Sequence, residues 1–167
     1  MKNTLLIARI LTWFNLIFWG GFLALSLLGA LLLGAIPVVV LAFLLCAIPL
    51  HCYAGLLLQR SIRFPNVKLS NQTPVGIRFV GLVALFYGIS LLFNCVVILR
   101  DPKTVLDLVK EGMPNIKQVT DAQLLVWIHQ FGIAGIVLGL AIVINVVLNT
   151  RLLRWYYLVK QSDAPDR

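Results

Sequence analysis

Apolar residues fall along this chain in four long runs separated by short polar stretches. The runs cover about 10–33, 36–58, 79–99 and 124–149, and none contains Asp, Glu, Lys or Arg. A bilayer core about 30 Å thick is crossed by about 20 residues of α-helix rising 1.5 Å each. Inside lipid no water satisfies the backbone, so uncharged runs of this length cross as helices, and the alternating short segments of a barrel are missing. The pattern predicts an all-α integral membrane protein: one membrane domain over 1–167, folded as an antiparallel bundle of four transmembrane helices.

Local signals punctuate the runs. Gly34-Ala35-Ile36-Pro37 reads as a tight connector, with Pro37 suited to a first helical turn. Pro49 stands inside the second run and predicts a kink there, because it removes a backbone donor. Thr73-Pro74 reads as the N-cap and first residue of the third helix, and Thr120 with Gln123 has the form of a capping box before the fourth. Between the third and fourth runs, in the loop 100–122, Asp101 can cap, Pro102 begin and Gly112 end a short amphipathic helix carrying Val105, Leu106, Leu108, Val109 and Met113. This helix reads as an interfacial connector, or as a lid over one end of the bundle.

Composition agrees with the pattern. The 167 residues are 60% hydrophobic and 12% charged, against about 25% charged in a soluble domain, and the mean hydropathy is +0.97. The first apolar run is too long for a secretory h-region and reads as a permanent span.

Charge predicts the orientation. Ten of the 14 cations lie on one side: Lys2, Arg9, Arg60, Arg63, Lys68, Arg78, Arg151, Arg154, Lys160 and Arg167, against only Asp163 and Asp166. On the other side Arg100, Lys103, Lys110 and Lys117 are balanced by Asp101, Asp107, Glu111 and Asp121. The positive-inside rule therefore puts both termini and the 59–78 loop in the cytoplasm, and the protein in the plasma (inner) membrane as a multi-pass chain. Trp13, Trp155, Tyr156 and Tyr157 fall near the same ends, where interfacial aromatics belong, and Trp127 marks the opposite end of the fourth helix. The net charge of +8 reads as attraction to the anionic headgroups of the lipid bilayer, with Arg60, Arg63, Lys68, Arg78, Arg151 and Arg154 as contacts. No basic folded domain exists to hold nucleic acid.

Without a hydrophobic drive between helices in lipid, small residues mark the faces where backbones approach. The candidates are Gly20, Ala24, Ser26, Ala30 and Gly34 in the first helix, Gly81, Ala84 and Gly88 in the third, and Gly132, Gly135 and Gly139 in the fourth. Intramolecular packing is the simpler use of them; a surplus face would support a homo-oligomer or docking into a larger membrane complex.

Neutral polar residues form two candidate vestibules by depth. Asn15, His51, Asn145 and Asn149 belong to the cytoplasmic half, and Ser26, Ser90, Asn94, His129 and Gln130 to the outer half. The bland reading of each is interhelical hydrogen bonding. His51 and His129 differ in height by roughly 10 Å, so one haem iron cannot take both. Cys46, Cys52 and Cys95 lack the spacing of a zinc site or a redox pair, so no metal or other cofactor is expected. Ser90 and His129 could meet as nucleophile and base, with Asn94 as an oxyanion donor. In those few residues the trio resembles the rhomboid proteases, but lacks the glycine after the serine and has four spans where that family has six. The leading expectation is a non-enzymatic membrane protein acting through helix–helix contacts. The alternatives are an oligomeric channel or small-molecule carrier built on the vestibules and, more remotely, an intramembrane Ser–His hydrolase.

Overall fold

The computed structural model describes residues 2–33, 39, 42, 45–64, 66–112 and 119–162. The Gly34–Pro37 connector, most of the first half of the second run, and Met113 and Lys117 lie outside the described residues. Within them the chain is helical, with no strand. Its elements are α1 (Lys2–Leu33), α2 (Ala47–Arg63), α3 (Gln72–Arg100), α4 (Pro102–Gly112) and α5 (Asp121–Ser162). Three of them contain stretches long and apolar enough to cross a membrane: Asn3–Leu32, Gln72–Arg100 and Asp121–Val159.

The helices overrun the apolar runs, and the reasons are local. α1 and α5 continue well past the uncharged positions because charged residues are compatible with a helix once it leaves lipid; Arg151 and Arg154 of α5 are exposed while Leu152 and Leu153 between them are buried. The Thr120–Gln123 capping box is formed, each side chain bonding the other's backbone N–H at 3.4 and 3.1 Å. The third helix starts earlier than Thr73-Pro74 suggests: Asn71 occupies its N-cap, Thr73 is already helical, and Pro74 stands in the first turn, where a missing N–H costs nothing. Pro49 likewise sits in the first turn of α2; Ala42 and Leu45 are helical too, and the helical run breaks at the single turn residue Cys46, close to where the sequence predicts a kink.

α3 contains a π-helical turn over Gly76–Val80, closed by the Gly81 N–H on the Gly76 carbonyl. At 3.6 residues per turn, positions five apart would point about 140° away from each other. The wider i→i+5 turn brings Gly76 and Gly81 to one face, and both meet α2. A Cβ on Gly76 would lie 3.1 Å from Ala54 Cβ, and one on Gly81 would lie 2.8 Å from His51 Nδ1.

The chain forms two compact units. The first comprises Met1–Phe86 and Ala141–Arg167. Its core joins Ala8, Ala54, Leu58, Ile77, Leu152 and Leu153 from α1, α2, α3 and α5. The second unit is Tyr87–Leu140, where Leu106 of α4 is buried with Leu124 and Ile128 of α5.

α4 runs between the cap and stop residues the sequence offers. Asp101 accepts from the Thr104 backbone N–H at 3.3 Å and from the Thr104 hydroxyl at 2.8 Å. These bonds favour the ionised carboxyl and hold its pKa below the usual carboxylate range. Because the folded pKa is lowered, this stabilisation is complete above the unfolded value and is lost as pH falls through the folded one. Protection of the Thr104 amide, corrected for intrinsic exchange, is expected to persist at neutral pH and to fall in acid. In Asp101→Ala it should be low at every pH.

Candidate functional site: a sealed amide core in the first unit

α1, α2 and α5 each bring a polar stripe to one place. Thr12 and Asn15 lie three apart on α1, Cys52, Gly55 and Gln59 are spaced by three and four on α2, and Asn145 and Asn149 are four apart on α5, so each set shares a helix face. All these residues are buried. Thr12 and Asn149 have no exposed surface at all, and Gln59 is 5% exposed.

Thr12 Oγ1 is the hub. It lies 2.7 Å from both the Ala8 carbonyl and Asn145 Oδ1, two acceptors that share its single proton. It accepts from Gln59 Nε2 at 3.1 Å and Asn149 Nδ2 at 3.2 Å. Gln59 Nε2 also donates to Asn149 Oδ1 at 3.0 Å, and Asn15 Nδ2 crosses from α1 to the Ala141 carbonyl at 3.1 Å. Asn145 Nδ2 reaches Cys52 Sγ at 3.4 Å. Interhelical bonds in membranes contribute about 0.6 kcal/mol each, so the five N/O bonds that cross between helices supply about 3 kcal/mol together. Gly55 makes room for the network, because a Cβ there would stand 2.9 Å from three atoms of the Asn149 amide.

The structure brings together Asn145 and Asn149 from the polar set expected at this depth, and places Asn15 beside them. His51 is buried but makes no bond to the amides; its imidazole packs against Gly81 and the Gly76 backbone. Thr12 and Gln59 are additions the sequence reading missed. Gln59 falls just past the apolar run, in the loop expected over 59–78, yet α2 extends to Arg63. The spacing Cys52–Gly55–Gln59 is the signal that would have found it.

The other expected set is dispersed. In the second unit Asn94, His129 and Gln130 are exposed and Ser90 is half-buried. His129 Nδ1 lies 2.9 Å from the Leu125 carbonyl of its own helix, and donates there when protonated at that nitrogen. No hydrogen bond joins Ser90 to His129 or Asn94 among the described residues, so the nucleophile–base pair is not assembled. Ser26, in the first unit, is half-buried.

The small residues divide by use. In the second unit Gly132, Gly135 and Gly139 of α5 meet α3: a Cβ on them would strike Leu99, Cys95 and Leu92 respectively, and at Gly139 it would also come 3.2 Å from the Gly88 carbonyl oxygen. Gly81 and Ala84 are buried in the first unit, as is Ala30 of α1. Gly20 is different. No described atom would lie within 4 Å of its Cβ, and the neighbouring Gly21 and Ala24 are exposed. Gly34 lies outside the described residues. Of the expected headgroup contacts, Arg60, Arg63, Lys68, Arg78, Arg151 and Arg154 are all exposed.

Chemically the core is neutral. It offers amide, hydroxyl and thiol groups bonded to one another, with no carboxylate or cation among them, and the described residues contain no cluster of three or more His, Cys, Asp or Glu side chains. Comparison of the chain with protein-family models, with curated proteins and with solved structures finds no match.

Proposed function

We propose that this is a non-enzymatic, multi-pass protein of the plasma (inner) membrane that acts by presenting helix faces, to a second copy or to a larger membrane complex. One observation carries the reading. The polar side chains of the amide core are buried and bonded mainly to one another, while the exposed surface of the three long helices is mostly apolar and includes the uncovered Gly21 and Ala24 of α1. A carrier would instead need its polar residues to line an accessible path, and an enzyme would need an assembled nucleophile and base.

A fourth span over 36–58 completes the topology. With three crossings the ends of the chain would face opposite compartments, and the basic N-terminal and C-terminal segments argue for the same one. Both termini then lie in the cytoplasm.

The experiment is extraction in mild detergent followed by mass measurement of the assembly. Gly21→Leu and Ala24→Leu are expected to reduce association with a copy or a partner without changing the thermal unfolding of the protomer, and Ser90→Ala to leave both unchanged. Solute flux through proteoliposomes containing the protein alone, or labelling by a serine-directed probe that Ser90→Ala abolishes, would contradict the proposal.

A further inference from the structure

A groove of about 270 Å³ opens at the basic end of the first unit, between α1 and α2. Arg9 and Trp13 line it from α1, and Gln59, Arg60, Arg63 and Phe64 from α2 and its C-cap. Three arginines thus line one concavity, and the guanidinium carbon of Arg63 lies 5.5 Å from the centroid of the Phe64 ring.

Among the described residues of the first unit there is no carboxylate to face this groove. The sequence has no Asp or Glu before Asp101, and the only acids in the first unit are Asp163 and Asp166, outside the described residues. The ion pair found among the described residues, Lys110–Asp121, belongs to the second unit. Cations gathered without a counter-charge repel one another, so an arrangement of this kind is completed by an external anion. Gln59 closes the inner wall of the groove, buried and with its Nε2 held by Thr12 and Asn149.

The remaining chemistry describes an amphipathic ligand. Trp13 lies one turn along α1 from Arg9, and both it and Phe64 are about half exposed, so an apolar wall stands beside the cations. We infer that the groove is a binding site for one anionic phospholipid, its phosphate held by Arg9, Arg60 and Arg63 and its glycerol–acyl stem laid along Trp13 and Phe64. Arginine suits this task because its planar fork grips phosphate oxygens in pairs. The site rests on the membrane placement proposed above and requires no protein partner.

The test uses the full chain in nanodiscs of phosphatidylcholine with increasing brominated phosphatidylglycerol, at 0.5 M salt so that diffuse surface attraction is screened. The readout is the quenching of Trp13 emission, isolated by subtracting Trp13→Phe. Arg9→Gln and Arg60→Gln are expected to raise the half-saturating lipid fraction about tenfold, the lower end for a charge-assisted bond. Arg151→Gln, on the same basic rim but outside the groove, should move it by about twofold or less once screened. Equal shifts for Arg60→Gln and Arg151→Gln, or equal quenching by brominated phosphatidylcholine, would overturn the site while leaving the membrane reading intact. Relief of quenching by millimolar inorganic phosphate or by polyglutamate would overturn it in favour of a soluble anion or an acidic polypeptide. A chain washed from vesicles by carbonate would overturn both readings.

Discussion

Asn149→Ala is expected to destabilise the protein by about 2–4 kcal/mol, and Gly55→Ala to be costly in the wild type but nearly silent in the Asn149→Ala background. The first figure combines the interhelical bonds from Asn149 to Thr12 and Gln59, about 0.6 kcal/mol each, with the penalty for leaving a buried partner unsatisfied, about 1–3 kcal/mol. The second follows from geometry. The atoms that a Cβ on Gly55 would meet at 2.9 Å are Cγ, Nδ2 and Oδ1 of Asn149, and alanine at 149 has none of them. The coupling energy should therefore be about 1 kcal/mol or more, well above the few tenths expected of independent sites. Reversible unfolding in mixed micelles, run on the two single variants and the double variant, measures it. Additive effects would mean that the Gly55–Asn149 contact does not position the amide core.

Gly139→Leu is the second large effect expected, at about 2–4 kcal/mol. Leu92 could rotate away from a new side chain, but the Gly88 carbonyl oxygen at 3.2 Å is backbone, so α3 and α5 of the second unit would have to separate. Overpacking of this kind costs about 1–3 kcal/mol, and the lost close approach adds to it. Gly20→Ala serves as the contrast. No described neighbour would meet its Cβ, and alanine is favoured over glycine in a helix by about 0.8–1 kcal/mol, so this variant should be neutral or slightly stabilising. Thermal unfolding of the two variants beside the wild type decides the matter, and similar destabilisation by both would contradict the division of the small residues into covered and uncovered faces.

The sequence made some of this architecture legible and concealed the rest for definable reasons. Signals carried within one turn of helix were readable: Asp101 and Gly112 bracket α4, and Thr120 with Gln123 closes the start of α5. Position along a helix was readable too, and Asn15, Asn145 and Asn149 lie in one buried region. Rotation about the helix axis was not. Asn94 and His129 are as polar as Asn145, yet they face outward, because nothing within a single apolar helix states which side its neighbours will cover. The same ambiguity hid Thr12, a modest hydroxyl in an apolar run that becomes the hub of four contacts only when α2 and α5 arrive. Gln59 was concealed by the adjacent charge of Arg60, which marks the edge of the lipid but not the end of the helix. The π-helical turn had no sequence marker beyond two glycines five apart, and its purpose is visible only in their shared approach to α2.

The seal around the amide core is open to direct measurement through a native residue. Cys52 has no exposed surface and accepts from Asn145. In a Cys46→Ala/Cys95→Ala background it would be the sole thiol, and proteoliposomes can be treated with a small charged methanethiosulfonate from both sides. A closed core predicts that Cys52 stays unmodified in the bilayer and reacts fully once the protein is unfolded in dodecyl sulfate. Rapid modification in the intact bilayer, from either side, would mean that water reaches the amides and that the polar residues line a path instead of joining the helices.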